Sequence, residues 1–118
     1  VAERGQHIAR GRYGEERAIE HLLGLGYEII EKNHRIRRGE IDIIARHRGD
    51  IVFVEVKTRK SENFGTPAEA VNFRKQGKLR ILAAAWLSSK GLSDAPCRFD
   101  VVSYTLDGEK MEVIENAF

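Results

Sequence analysis

The sequence predicts an α/β fold, a mixed central sheet flanked by helices in the order α-β-β-β-α-β-β, carried by one domain over residues 1–118. Three observations predict it. A helical run opens the chain, three strand-like segments follow with short turns between them, and a long helical stretch separates the third strand from the fourth. A helix between two strands permits a parallel pair, whereas tight turns give antiparallel ones, so a mixed sheet is expected. The 118 residues suffice for one core without disulfides.

The first helix is expected from about Gln6 to Gly24. Ile8, Tyr13, Ala18, Ile19, Leu22 and Leu23 give its apolar period, and Gly24 and Gly26 stop it. "YEIIEKNHRI" reads as the first strand, with Tyr27, Ile29 and Glu31 on one face. After the "RRGE" turn, "EIDIIARH" is the second strand. Ile41, Ile43 and Ala45 share one face, and Asp42 and Ile44 the other. Arg48-Gly49-Asp50 is a hairpin connection. "IVFVEVKTR" is a β-branched third strand. Ile51, Phe53, Glu55 and Lys57 lie on one face and Val52, Val54 and Val56 on the other, which suits a central strand.

"TPAEAV" carries a helix-start signature, with Thr66 as N-cap, Pro67 in the first turn and Glu69 at the capping-box position. The helical stretch runs on to Gly91, with Gly77 weakening its middle. "CRFDVVSYTL" is the fourth strand, Asp107-Gly108 a hairpin signal, and "KMEVIENAF" a short edge strand.

Composition excludes several classes. The lone Cys97 rules out a disulfide framework and a multi-cysteine zinc site, and reads as a small buried or half-buried filler. The four histidines, His7, His21, His34 and His47, show no metal-ligand spacing. No stretch approaches the ~20 apolar residues of a membrane span, and no signal peptide is visible, so a cytoplasmic location is expected. The net charge of +2 is small, but basic residues cluster from Lys32 to Arg48, at Lys57, Arg59 and Lys60, and at Arg74, Lys75, Lys78 and Arg80. Such clusters suit phosphate contacts as well as a solvated surface.

The chemistry is expected at "FVEVKTR". Glu55 and Lys57 are two residues apart on one strand and so share a face. With a turn near residue 49, Glu55 pairs near Ile43, and Asp42 lies diagonally beside it. Two carboxylates at one point repel unless a cation joins them, and Mg²⁺ is held by one or two carboxylates together with substrate phosphate. Lys57 would then stand beside developing negative charge. The alternative is an exposed cross-strand salt bridge. Glu15, on the sheet-facing side of the first helix, offers a third carboxylate; otherwise it is a first-turn glutamate favoured by the helix dipole. Trp86 and Tyr13 read as packing residues. Arg98 and Asp100 read as an ion pair opening the fourth strand, with a position beside the site left open.

"GRYGEERA", "GEIDIIA", "FVEVKTR", "GTPAEAV", "RKQGKL" and "RFDVV" occur in this order. Together they resemble the YraN family of predicted endonucleases, which is similar in turn to archaeal Holliday-junction resolvases and the restriction-endonuclease-like fold with its PD-(D/E)XK motif. The resemblance implies a three-layer sandwich of that type and a Mg²⁺- or Mn²⁺-dependent nuclease. It places Asp42, Glu55 and Lys57 at the motif positions and Glu15 at the helix glutamate, with Ile41 standing where the motif has proline. It implies metal binding by Glu15, Asp42, Glu55 and the carbonyl of Val56. It also implies DNA contacts from Arg35, Arg37, Arg38, Arg59 and Lys60, with Gln76 facing the site from the second helix, and leaves RNA open. A non-catalytic nucleic-acid-binding module and an interaction protein without nucleic acid are the competing expectations. A homodimer through the edge strand is a further one.

Overall fold

A computed structural model describes residues 2–61 and 71–118, and side chains from residue 11 onward. Helix α1 spans Ala2–Gly24 and α2 spans Phe73–Ser89. The strands are β1 (Glu28–Ile36), β2 (Gly39–His47), β3 (Asp50–Arg59), β4 (Cys97–Thr105) and β5 (Lys110–Ile114). They form one sheet in the order β1-β2-β3-β4-β5. Only β3 and β4, joined through α2, run parallel; the other neighbours are antiparallel.

Each helix covers one face. Ala18 and Leu22 of α1 pack with Tyr27, Ile43, Ala45, Val52, Val54 and Val102. Leu79, Leu82, Ala83, Trp86 and Leu87 of α2 pack with Ile41, Ile44, Ile51, Phe53, Phe99 and Val101. The strict alternation of β3 therefore feeds two cores, as a central strand must. Arg48 and Gly49 both take positive φ, 51° and 85°, which closes the β2–β3 hairpin with the twist its strands need.

Several expectations are corrected. Ile41 packs with Ile44 on the α2 side, while Ile43 and Ala45 face α1. Alternation thus breaks between Ile41 and Ile43. Opposite the break stands Asn33, whose φ of 52° interrupts β1 between the pairs Lys32↔Ile43 and His34↔Ile41. A second irregularity between Ile29 and Glu31 turns Glu31 away from Tyr27 and Ile29; its Oε1 accepts from Trp86 Nε1 at 3.3 Å. The β2–β3 register sets Val54, not Glu55, opposite Ile43. Helix α2 starts at Phe73, capped by Asn72, whose Oδ1 accepts from the Lys75 backbone N–H at 2.9 Å. Gly77 does not interrupt it. The proposed cap at Thr66, Pro67 and Glu69 lies outside the described residues. Cys97 is exposed at the start of β4, not a buried filler.

One contact sets the height of α1 over the sheet. A Cβ built on Gly14 would stand 1.7 Å from Thr58 Oγ1 and 3.0 Å from Thr58 Cβ. Gly14→Ala gains up to ~1 kcal/mol of helix propensity, but overpacking costs about 1–3 kcal/mol. Net destabilisation is therefore expected in urea denaturation. Thr58→Ala should recover part of it, because the nearest obstacle is a hydroxyl that has no hydrogen-bond partner among the described residues. An unchanged midpoint in Gly14→Ala would contradict this packing.

Candidate active site

The break in β2 aims Asp42 at the neighbouring strand. Backbone pairing between β2 and β3 reaches Ile43↔Val54, and beyond it Asp42 Oδ2 accepts from the Val56 backbone N–H at 2.9 Å. The carboxylate thus stands in for a ladder acceptor. Glu15 arrives from α1, one residue after the Gly14 contact. Glu40 comes from the start of β2. Single carboxylate oxygens of Glu15, Glu40 and Asp42 all lie within 4.8 Å of one another. Asn33, with its amide nitrogen turned toward the cluster, donates to Glu15 Oε2 at 2.8 Å and Glu40 Oε1 at 3.1 Å.

Glu55, only 5% exposed, faces α2, whose Lys75 places Nζ 2.7 Å from Glu55 Oε1. Lys57 Nζ lies 3.9 Å from the same oxygen. An open cavity of about 230 Å³ is lined by Gly39, Glu40, Asp42, Glu55, Lys75 and Lys78, with Leu79 and Leu82 as its apolar floor.

The electrostatics follow from crowding and burial. Asp42 is pushed up to about 7, first by burial and then by the Glu55 charge. Glu15 is raised by burial and by Glu40 and Glu55. Lys57 is lowered by burial and by neighbouring Lys75. Burial also works against the charge on Lys75, but its hydrogen bond to Glu55 prevails and its pKa is raised. Asp42, which holds its proton too tightly, lines this cavity beside Glu55, and Lys57, which holds one too loosely, stands against the same Glu55, a combination associated with function.

The sequence-predicted residues divide accordingly. Asp42, Glu55, Lys57 and Glu15 converge, and Val56 joins through its N–H. Arg37 and Arg38 form the exposed β1–β2 turn. Arg35 is exposed and pairs with Glu40 at 3.1 Å. Arg59 Nε reaches Thr105 Oγ1 at 3.3 Å, and Lys60 is exposed. Gln76 donates its amide to the Val71 carbonyl at 3.0 Å; the α2 side chain that reaches Glu55 is its neighbour Lys75. Sequence reasoning counted Lys75 only among the clustered basic residues and did not place it against Glu55, because its approach depends on a helix capped at Asn72. It noted Glu40 only as part of a motif, without placing it among the ligands.

Arg98 and Asp100 do pair, Nε to Oδ1 at 3.1 Å, but not beside the cavity. They join His47 and Asp50, at the hairpin end of β2 and β3. Tyr13 stacks obliquely on Tyr104, centroids 6.1 Å apart.

Residues 14–104 match the model of the uncharacterised protein family UPF0102. The chain belongs to UPF0102. This is the YraN family that the six ordered motifs resemble. A UPF0102 protein of Moorella thermoacetica is 50% identical, the match covering 92% of this chain and 94% of that protein. One from Thermodesulfovibrio yellowstonii is 48% identical over 94% and 96%, and one from Clostridioides difficile 42% over 92% and 96%. The UPF0102 model begins at Gly14 and so spans Glu15, Glu40, Asp42, Glu55, Lys57 and Lys75. Among the described residues no helix is long and apolar enough to cross a membrane.

Proposed function

We propose that this UPF0102 protein is a divalent-metal-dependent endonuclease that hydrolyses DNA phosphodiester bonds, on branched or single-stranded substrates. The observation that carries the reading is the convergence of Glu15, Glu40 and Asp42 within 4.8 Å, beside buried Glu55 and Lys57. The donor set is all carboxylate oxygen, which suits Mg²⁺ or Mn²⁺. The raised pKa values of Glu15 and Asp42 fit the same group, since a bound cation would relieve the repulsion that raises them. Glu15, Asp42 and Glu55, with Glu40 and the Val56 carbonyl, would hold it. When bound, it supplies charge neutralisation at a phosphate and an activated water.

The chain's own residues do the rest. Asp42 is oriented by the Val56 N–H, and Asn33 orients Glu15 and Glu40. Lys57 offers an ammonium to charge developing on the phosphate. Arg35 near the end of β1 and Arg37 and Arg38 on the β1–β2 turn, with Arg59 ending β3 and Lys60 just after it, hold the DNA backbone, giving salt-dependent binding.

The second reading is a nucleic-acid-binding module on the same fold without catalysis. The ion pair between Lys75 and Glu55 favours it, because the buried carboxylate is already neutralised.

Cleavage of labelled single-stranded, duplex, flap and four-way DNA with Mg²⁺ or Mn²⁺ separates the two. Asp42→Asn and Glu55→Gln are each expected to reduce cleavage at least about a hundredfold, the scale of losing one preorganised charge partner. Lys57→Met should slow cleavage while metal binding persists. DNA binding with no cleavage of any substrate would establish the second reading.

A further inference from the structure

We propose that Lys75 is a displaceable counter-ion: it pairs with Glu55, leaves it when a divalent cation binds, and then forms a phosphate-binding pair with Lys78. This rests on the metal-dependent reading above.

A carboxylate as buried as Glu55 requires a cationic partner. Two lysines are near, and they are not equivalent. Lys57 is on the same strand, its Nζ 3.9 Å from Oε1, while Lys75 reaches across from α2 to 2.7 Å. The backbone of Lys75 is fixed, because its N–H donates to the Asn72 cap. Its side chain, by contrast, borders an open cavity and is 38% exposed. The anchor is rigid, and the cavity beside the ammonium leaves it room to move.

Glu55 Oε1 cannot serve a close ammonium and a divalent ion together without bringing like charges into contact. The cavity provides somewhere for the ammonium to go. Lys78 lies three residues along α2, on the same side of the helix, and lines the same space. Gly39 keeps that position open: a Cβ there would come 3.1 Å from Lys78 Cε and 3.2 Å from Leu82 Cδ1. Two ammonium groups would then face a space bounded on its other side by carboxylates. That arrangement suits a nucleic-acid phosphate resting on the lysines with its cation on the acids. Phosphate would draw Lys75 from Glu55, and the cation would release Lys75 to phosphate. Each ligand therefore strengthens the other, by the same factor in both directions.

The test is calorimetric titration with Mn²⁺ of the wild type, Lys75→Met, Lys75→Gln and Asp42→Asn, each checked by circular dichroism for native fold. Fluorescence anisotropy of a single-stranded oligonucleotide follows, with EDTA or with Ca²⁺. Lys75→Met is expected to bind Mn²⁺ about tenfold more tightly or better, the scale of removing one close charge competitor. Its DNA affinity should gain less from Ca²⁺ than that of the wild type. Lys75→Gln, which keeps a donor for Glu55, should fall between. Lys78→Met should weaken DNA binding. Mn²⁺ affinity that is equal or weaker in Lys75→Met, with the wild type binding through Asp42, overturns the displacement and leaves the metal site standing. Mn²⁺ binding that is absent from the wild type and every Lys75 variant, or indifferent to Asp42→Asn, overturns the metal-dependent reading and the displacement with it.

Discussion

Arg98→Ala is expected to cost about 3–5 kcal/mol of folding stability, the range for removing one partner of a buried ion pair. Arg98 is 10% exposed and Asp100 is fully buried. Its Nε donates to Asp100 Oδ1 at 3.1 Å and its Nη2 to Tyr27 Oη at 3.1 Å. Nη1 lies 3.3 Å from Asp50, and Nη2 lies 3.0 Å from Glu115. Asp100 also accepts from Tyr27 Oη at 2.7 Å and from the Asn116 N–H at 3.0 Å, and the Tyr27 ring stacks on His47 at 3.9 Å. One guanidinium thus ties the entry to β1, the β2–β3 hairpin, β4 and the tail after β5. Alanine would leave Asp100 charged, buried and without its cation. Arg98→Lys should rescue only in part, since an ammonium cannot reproduce the planar fork. Replacing both partners, Arg98→Met with Asp100→Leu, should recover much of the loss, because the desolvation cost leaves with the charges. Urea denaturation measures all three, and a loss below about 1 kcal/mol for Arg98→Ala would refute the assignment. The cluster is at the hairpin end, so Mn²⁺ affinity in folded Arg98→Lys should match wild type.

The contrast between that cluster and the candidate site shows what a one-dimensional pattern carries. The two apolar faces of "IVFVEVKTR" marked β3 as central, and Arg48-Gly49 marked the hairpin, because both signals are local. Glu55 and Lys57 were legible together for the same reason, since period two is fixed by the strand itself. The break at Asn33 was not legible: a non-glycine residue with φ of 52° looks like any other asparagine in a strand pattern. Yet that break sends Ile41 and Ile43 to opposite faces and frees Asp42 to reach Val56. Alternation alone would have kept Asp42 on the face of Ile44. Lys75 was hidden by a stronger local signal upstream, the Thr66-Pro67-Glu69 signature, which competes with Asn72 for the start of α2. Arg98 and Asp100 were seen as a pair, but their location depends on which end of β3 lies beside β4, and that is set by the parallel register Val52↔Arg98.

The charge state of Asp42 predicts a pH dependence whose sign the divalent ion should reverse. In the fold its carboxyl is pushed from an ordinary 3.8 up to about 7, first by burial and then by Glu55. The folded protein therefore holds this proton more tightly than the unfolded chain does. The stabilisation from the proton is fully present below 3.8 and is lost as pH rises through about 7. A shift of this size corresponds to on the order of 4 kcal/mol. Glu15, raised by burial and by Glu40 and Glu55, adds in the same direction. Asp42→Asn isolates the effect, because the amide oxygen can still accept from the Val56 N–H but carries no charge. Urea denaturation of both proteins in EDTA should show the variant gaining on the wild type from pH 5 to pH 8, by about 2–3 kcal/mol. With saturating Mn²⁺ the wild type should instead gain as pH rises, because the cation must displace the proton and binds tighter when the proton is gone. A wild-type-minus-variant difference that stays flat with pH in EDTA would remove the crowding argument. A flat difference only in Mn²⁺ would leave the crowding intact and move the cation away from Asp42.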